Sequence, residues 1–581
     1  MACLIHKKKK GRLYTYWVQS ARVQGQPRIV EQVYLGPKER VLEEIKRAYT
    51  RGKAPGRSPL RKVQHREFGA SAWLWQWAQR LQLQKIVDRH VPAPAAKRRT
   101  QLSVGQYLVL AAINRAIQAR SKRAFYRHWY RDSIISRLCP AQEGELTSQR
   151  FWDHMDQVQE SHLDAIQQDL LSRLKELFPL GEETLLYDTT NYFTFIDTFN
   201  RRPELPQRGY NKQKRHDLRQ LSLAFFEDEE TGLPLYHQCY RGDRPDVAQF
   251  TTAWQGMVQV WMKGLRRGPK QLTLVFDAGN SGRDNVGELD EAGLHYVGAI
   301  PGRWVPDLLD VPREAYEKLE LAATKHVKVH RCRRELWGRR RTLLVVFSPS
   351  FFRKQRAAMN RLQHKVEGRL IELAGGIERW RTSRKGAGYK QSSVERKIKE
   401  WTARDHLREF LQVEIQTEGE RVAELRWQWD QKKKREIQRR YLGKTVLFTD
   451  RDDWDSEKIV LTYRSLTRQE HLFSLSKGRQ GLWWPMFHWT DTKIRVHALY
   501  CHFALLLLAI LQIQLREARI SLNAPRAVGR LEKIQESLVI YTNGAGERVL
   551  SDMDEEQWRL AEVLGLLDLA EEMGTTVLDK D

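Results

Sequence analysis

Three carboxylates in this chain stand where an acid needs explaining. Asp188 lies inside the apolar, aromatic stretch TLLYDTTNYFTF, which has the texture of a strand, where aspartate is disfavoured. Alternation puts it on one face with Leu186 and Thr190. Asp277 ends LTLVFDAGNSG, an apolar run entering a glycine turn. Such a run delivers its carboxylate to the C-terminal edge of a strand, where open α/β sheets build their sites. Glu470 stands on the polar helix LTRQEHLFSLSK, seven residues after Tyr463 and seven before Lys477, so all three share one helical face. Two strands and a later helix that supply three hard oxygen donors make a cage for two Mg²⁺ ions roughly 4 Å apart, as phosphoryl transfer requires. Mn²⁺ accepts the same donors. Each acid also has a plain structural reading: a turn or capping aspartate, or a solvated glutamate.

The elements that must position these residues follow from hydrophobic periodicity. Residues 1–64 read as a basic β-hairpin unit, with KKKK followed by RLYTYWVQSARV, a turn at GQP, and RIVEQVYLG. Residues 65–180 show helical spacing with interleaved bases and read as a helical DNA-binding domain. Between 181 and 300 come three strands expected to be antiparallel, then helix, strand, helix and strand, an α/β arrangement consistent with an RNase H-like core. A long mixed α/β insertion occupies 301–445. The core resumes over 446–515 with the Glu470 helix, and 516–581 reads as a helical, acidic docking or dimerisation tail.

The chain has 581 residues, enough for several domains, and 99 Lys+Arg against 72 Asp+Glu, a net charge of +27. That excess suits a polyanion, because cations that neutralise phosphates release condensed counterions. The five cysteines (Cys3, Cys139, Cys239, Cys332, Cys501) never pair as C-x-x-C, which argues against a zinc site or a disulfide framework and for a reducing cytoplasm. No apolar region follows the N-terminal lysines, so no signal peptide is expected. The longest apolar run, Ala498 to Leu511, is too short to span a bilayer and reads as a buried core helix of a soluble protein.

YDTTNYF, RGYNKQKRHDLRQ, VFDAGNSGRDN and finally Tyr463…Glu470…Lys477 before PMFHWTDTKIRVHALYCHFAL resemble the DDE insertion-sequence transposases. More narrowly, they resemble the cut-and-paste branch whose glutamate helix reads Tyr-x-x-Arg-x-x-x-Glu-x-x-x-x-x-x-Lys. The resemblance runs from the N-terminal YLG hairpin to about residue 515. It implies that Asp188, Asp277 and Glu470 are catalytic metal ligands. It also implies that Tyr463, Lys477, Arg464 and Arg468 hold DNA, and that Arg208, Lys212, Lys214 and Arg215 grip the transposon-end backbone. The implied partners are double-stranded transposon ends and target DNA, with a homodimer in the synaptic complex, in the nucleoid of a prokaryotic cell. In relatives the insertion uses aromatics to hold a flipped base. Here Trp304, Trp337, Trp380, Trp401, Trp427 and Trp429 are available, with core packing as their alternative. Asn191, Asn280 and Asn285 either orient ligands or form turns.

One position departs from the pattern: Leu466 stands three residues after Tyr463, where the family has Arg. The leading expectation is an active transposase that binds terminal inverted repeats, cuts and transfers strands. The alternative is a catalytically impaired DNA-binding derivative or repressor, which Leu466 keeps open. A third reading is a nuclease without strand transfer. A tyrosine recombinase leaves the carboxylates unexplained.

Overall fold

The computed structural model describes residues 2–9, 11–23, 26–50, 60–98, 100–181, 183–197, 199–211, 215–265, 271–321, 324–404, 406–467, 482–483, 486–542 and 544–577. The chain divides into two compact units. The first comprises Met1–Phe178, Asn191–Leu221 and Leu472–Asp581; the second comprises Pro179–Thr190 and Ser222–His471.

The first unit opens with a three-stranded antiparallel sheet, Ala2–Lys9, Arg12–Val23 and Gln26–Pro37. The lysine run supplies an edge strand to the expected hairpin, with Lys7 opposite Tyr14 and its Nζ 5.1 Å from the Tyr16 ring. A lysine-rich edge blunts further strand pairing. Helices Gly69–Arg80, Leu83–His90, Val104–Ile117 and Glu160–Leu177 follow. The third is capped by Ser103, whose Oγ accepts from Gln106 N–H at 3.2 Å while the Gln106 side chain accepts from Ser103 N–H at 2.8 Å.

The C-terminal segment is not helical throughout, which corrects the expectation above. Gln535–Tyr541 and Gly546–Leu550 form a hairpin, and the first of these strands also pairs with Leu60–Glu67. Alternating residues in QESLVIY and GERVL, with Gly544 at φ +82°, favour strand–turn–strand over helix.

The long apolar run forms the helix Asp491–Glu517, and every residue from Ala498 to Leu511 is buried. Its mean hydropathy of 2.0 would suit a membrane span, but 89% of that window is buried inside the protein. Burial here also keeps bases neutral. It pushes His502 down to about 3, and it pushes His488 and His497 well below their usual value, helped by Lys122 and Arg115. Burial, then Arg115, lowers Lys122 to about 7; its ammonium sits 5.1 Å from the Tyr500 ring and 3.1 Å from its hydroxyl. A base with a depressed folded pKa stays neutral while the unfolded chain takes up a proton, so stability falls as pH drops through that window. Stability is therefore expected to fall between pH 6.5 and 3, by as much as about 1.4 kcal/mol per pH unit from His502, and the melting temperature with it. His502→Leu should flatten that acid limb in calorimetry. An acid limb unchanged in the variant would remove His502 as a cause.

The second unit is built on a mixed sheet of nine strands, numbered here along the chain. They are β1 (Thr184–Thr194), β2 (Arg219–Asp228), β3 (Pro234–Arg241), β4 (Thr273–Phe276), β5 (His295–Ile300), β6 (Glu317–Leu321), β7 (Thr324–Leu336), β8 (Arg339–Phe347) and β9 (Lys444–Thr449). Their order is β3-β2-β1-β4-β5-β9-β8-β7-β6. β1, β4 and β5 are parallel, and each pair from β5 through β9, β8 and β7 to β6 is antiparallel. The central strands are buried on both faces, so β4 reads TLVF with every residue buried. Helices Asp246–Leu265 and Arg283–Ala292 connect β3 to β4 and β4 to β5. Within 301–445, β6, β7 and β8 thus join the main sheet. Helices Pro349–Ser383, Gln391–Trp401 and Gln431–Tyr441, with the hairpin Leu411–Glu418/Arg421–Trp429, enclose a separate core that includes Val366, Leu370, Val394, Val422 and Ile437.

Candidate active site

The strand register brings Asp188 and Asp277 together. β1 and β4 pair in parallel as Thr184↔Thr273, Leu185↔Leu274 and Leu186↔Val275. Two steps further along this register Asp188 stands beside Asp277, one strand spacing of about 4.8 Å away. Both acids have the parity of Leu186 and Val275, which are fully buried in an apolar cluster with Val297, Ile459 and Val460. Asp188 therefore emerges from within β1 and Asp277 just past the C-terminal end of β4, on the face that cluster covers. The opposite parity faces the helix Asp246–Leu265, whose Phe250 packs edge-on against Tyr187 at 5.0 Å and Phe276 at 4.8 Å.

Local hydrogen bonds orient the pair. Asp188 Oδ1 accepts the Thr189 N–H at 2.7 Å. Asp277 Oδ1 accepts the Gly279 N–H at 3.0 Å and the Asn280 side-chain amide at 2.9 Å. Asn285 in turn donates to the carbonyls of Asn280 and Val247, both at 3.0 Å, so the turn after β4 is held as a relay that ends on Asp277. A Cβ on Gly279 would lie 3.2 Å from Asp277 Oδ1, which explains the small residue there. Burial, then the carboxylates of Asp246, Asp188 and Asp277, push the Tyr187 phenol well above its usual value. Asp246 accepts from the Tyr240 hydroxyl at 2.6 Å, and burial together with that carboxylate raises the Tyr240 pKa. The sequence marks Asp246 only as a helix cap; no spacing rule links it to Asp188.

Asp277 is held by neutral donors, with no cationic side chain within ion-pair distance among the described residues. Asp188 is half-buried and Asp277 exposed, and two adjacent carboxylates favour a cation between them. Asn280 Oδ1 and Thr190 Oγ1 are buried acceptors without a hydrogen-bond partner among the described residues, as sites for hydrated-ion ligands would be. The donor set thus fits a divalent metal. Among the described residues no third His, Cys, Asp or Glu completes a metal-holding group.

Helix Ser456–Arg464 covers the carboxylate face. Asp455 caps it, accepting the Lys458 N–H at 2.7 Å; Ile459 and Val460 are buried in the apolar cluster, and half-buried Tyr463 packs against it. Leu466 packs against the apolar cluster, so the side chain that replaces the family arginine serves as a hydrophobic anchor. Arg464 is half-buried, and burial lowers its pKa. Arg208 and Arg215 are exposed, and Arg215 makes two bonds to Asp217 (2.9 and 2.8 Å), holding that acid down at about 2. Glu470, Arg468, Lys477, Lys212 and Lys214 lie outside the described residues. Of the tryptophans, Trp401, Trp427 and Trp429 pack on the separate core, Trp337 packs on Phe448 at 5.4 Å, and Trp304 is 41% exposed.

Asn280→Ala removes the donor to Asp277 and is expected to lower metal-dependent activity about 10- to 100-fold, the usual cost of losing a ligand's supporting bond. Titration of activity against Mg²⁺ should show a raised half-saturation. Wild-type titration curves would deny Asn280 the orienting role.

No family model matches the chain, and no curated protein matches it. Among solved structures the chain is similar to the piggyBac transposase synaptic complex with hairpin DNA, determined by cryo-EM, at 10% identity over 78% of this chain and 79% of that one, with a TM-score of 0.34. It is also similar to the Mos1 transposase paired-end complex with the left transposon end, at 13% identity over 30% of this chain and 58% of that one, with a TM-score of 0.15. At these scores neither likeness bears on the fold or the activity of this chain.

Proposed function

We propose that this chain is a DDE-type DNA transposase with an RNase H-like core, in which Asp188, Asp277 and Glu470 are the catalytic carboxylates. The observation that carries the reading is the register that sets Asp188, within β1, beside Asp277, just past the end of the parallel strand β4. In the sequence Glu470 stands seven residues after Tyr463 and seven before Lys477, and the helix that carries Tyr463 ends at Arg464, so Glu470 rests on the sequence pattern. The strand order β3-β2-β1-β4-β5 with a parallel β1-β4-β5 centre supports the core assignment. The net charge of +27 suits a DNA substrate.

Mg²⁺ held by these carboxylates would supply Lewis-acid polarisation of the scissile phosphate and a counter-charge for the oxygens around it. The chain's own residues do the positioning. Asn280 and Gly279 fix the Asp277 carboxylate, and Thr189 fixes Asp188. Arg208, Lys212, Lys214 and Arg215 hold the backbone of the transposon end, and Tyr463, Arg464, Arg468 and Lys477 hold phosphates beside Glu470. Two ends cut and joined together require a homodimer. The test is incubation with Mg²⁺ or Mn²⁺ and DNA that carries the inverted repeats flanking its gene. Cleaved ends and joined products support the reading; nicks without joining support a nuclease instead.

Leu466 favours a second reading. A leucine packed on the apolar cluster cannot hold a phosphate as arginine does, so an end-binding derivative without catalysis remains the competing function. Binding of the repeats with no cleavage in either metal would select it.

A further inference from the structure

Aromatic side chains of the first unit stand in water on two segments: Phe199 (89% exposed) and Tyr210 (85%) on one, Phe487 (56%) and Trp489 (59%) on the other. Both segments are anchored. Residues 486–489 alternate, with Met486 and His488 buried and Phe487 and Trp489 facing out. The His488 ring lies 5.2 Å from that of His497, and Phe487 lies 6.2 Å from Phe195. On the other segment, Asp491 accepts the Glu204 and Leu205 N–H groups at 3.0 Å, which ties that loop to the residues just after Trp489. Buried Asn211 accepts the Arg215 N–H at 2.8 Å, and the Tyr210 carbonyl accepts from Gln220 at 3.1 Å. The backbone is fixed while the rings face solvent.

Aromatic rings held exposed on a fixed backbone mark an interaction surface. Its chemistry is set by the cations on the same loop: Arg201, Arg202 and Arg208 are all exposed. Flat apolar rings interleaved with guanidinium groups match a partner that offers π faces and phosphates together. Paired bases in a duplex hide their faces, whereas unpaired ones expose them. We infer that Tyr210, Phe487 and Trp489, with Arg201, Arg202 and Arg208, form a stacking surface for unpaired nucleotides of DNA. The inference rests on the DNA reading above but not on its catalytic part.

The experiment compares the full chain on a short duplex that carries a single-stranded tail with the same duplex blunt, using 2-aminopurine in the tail to report stacking. The wild type should bind the tailed DNA about tenfold more tightly and quench the 2-aminopurine. Phe487→Ala combined with Trp489→Ala should remove both effects while blunt-duplex binding and the melting temperature stay unchanged, because both rings lie outside the core. Phe487→Tyr with Trp489→Phe should restore both, as any aromatic face can stack. No preference for the tail, or quenching that survives the double alanine variant, overturns the inference. So does a change of sedimentation alone in that variant, which would make the surface a contact between copies of this chain. The wild type itself separates the two proposals: a chain that fails to cleave but still quenches refutes catalysis and leaves this surface standing.

Discussion

Asp188→Ala and Asp277→Ala should each lower Mg²⁺-dependent strand cleavage by at least about a thousandfold, equivalent to roughly 4 kcal/mol of barrier, while repeat binding changes less than about threefold. The asymmetry follows from where the two acids lie. They are neighbours in register, Asp188 within β1 and Asp277 just past the end of β4, and their carboxylates lie beyond the buried pair Leu186 and Val275, so truncation removes ligands without opening the core. The proposed DNA contacts come from arginines and lysines elsewhere, and removing a negative charge does not weaken them. The conservative Asn variants should be nearly as inactive, because a neutral amide keeps the shape but loses the charge that holds a divalent cation. Gel assays of cleavage and of binding on the same DNA read both quantities. Undiminished cleavage by Asp277→Ala would remove Asp277 from the catalytic set, and loss of binding parallel to cleavage would make the defect one of folding.

The second large effect is structural. Gly298→Val should destabilise the second unit by about 3 kcal/mol, near the upper end for an overpacked core. Gly298 lies in β5, between β4 and β9. A Cβ there would meet Phe448 Cε1 at 2.5 Å and Phe276 Cε2 at 2.8 Å. Neither ring has room to yield: Phe448 packs against Phe276 at 6.1 Å, Tyr296 at 5.5 Å and Trp337 at 5.4 Å, and both phenylalanines are fully buried. Because Phe276 immediately precedes Asp277, strain at this point also displaces the carboxylate, so activity should fall at temperatures where the fold survives. Gly298→Ala should show a smaller loss of the same kind. Thermal melts and cleavage rates on one preparation measure both. A valine variant that melts with the wild type would mean that the rings rearrange.

Much of the second unit was legible because its elements carry local signals. The apolar alternation of β1, the strand-into-glycine ending of β4 and the turn residues between them point to strands and to acids at their edges without any tertiary information. Asp188 and Asp277 could be singled out for the same reason: an aspartate in a hydrophobic strand, or at its end, is locally improbable. The tail was misread because its acidic helices dominate its composition, although QESLVIY and GERVL alternate as strands. Asn280 was legible as a turn residue or a ligand support, but only the fold shows its amide on Asp277 Oδ1.

The sequence by itself determined which residue types could do chemistry, which segments are strands or helices, and that the chain carries a charge suited to a polyanion, since propensity, periodicity and composition are local or additive quantities. Only the tertiary structure decided that Asp188 and Asp277 are neighbours, since 88 residues of intervening chain separate positions that a parallel register unites. It also decided that Leu466 packs on the apolar cluster that holds Leu186 and Val275. Pairing of distant strands depends on which faces are buried together, and that is a property of the whole packed unit rather than of any segment within it.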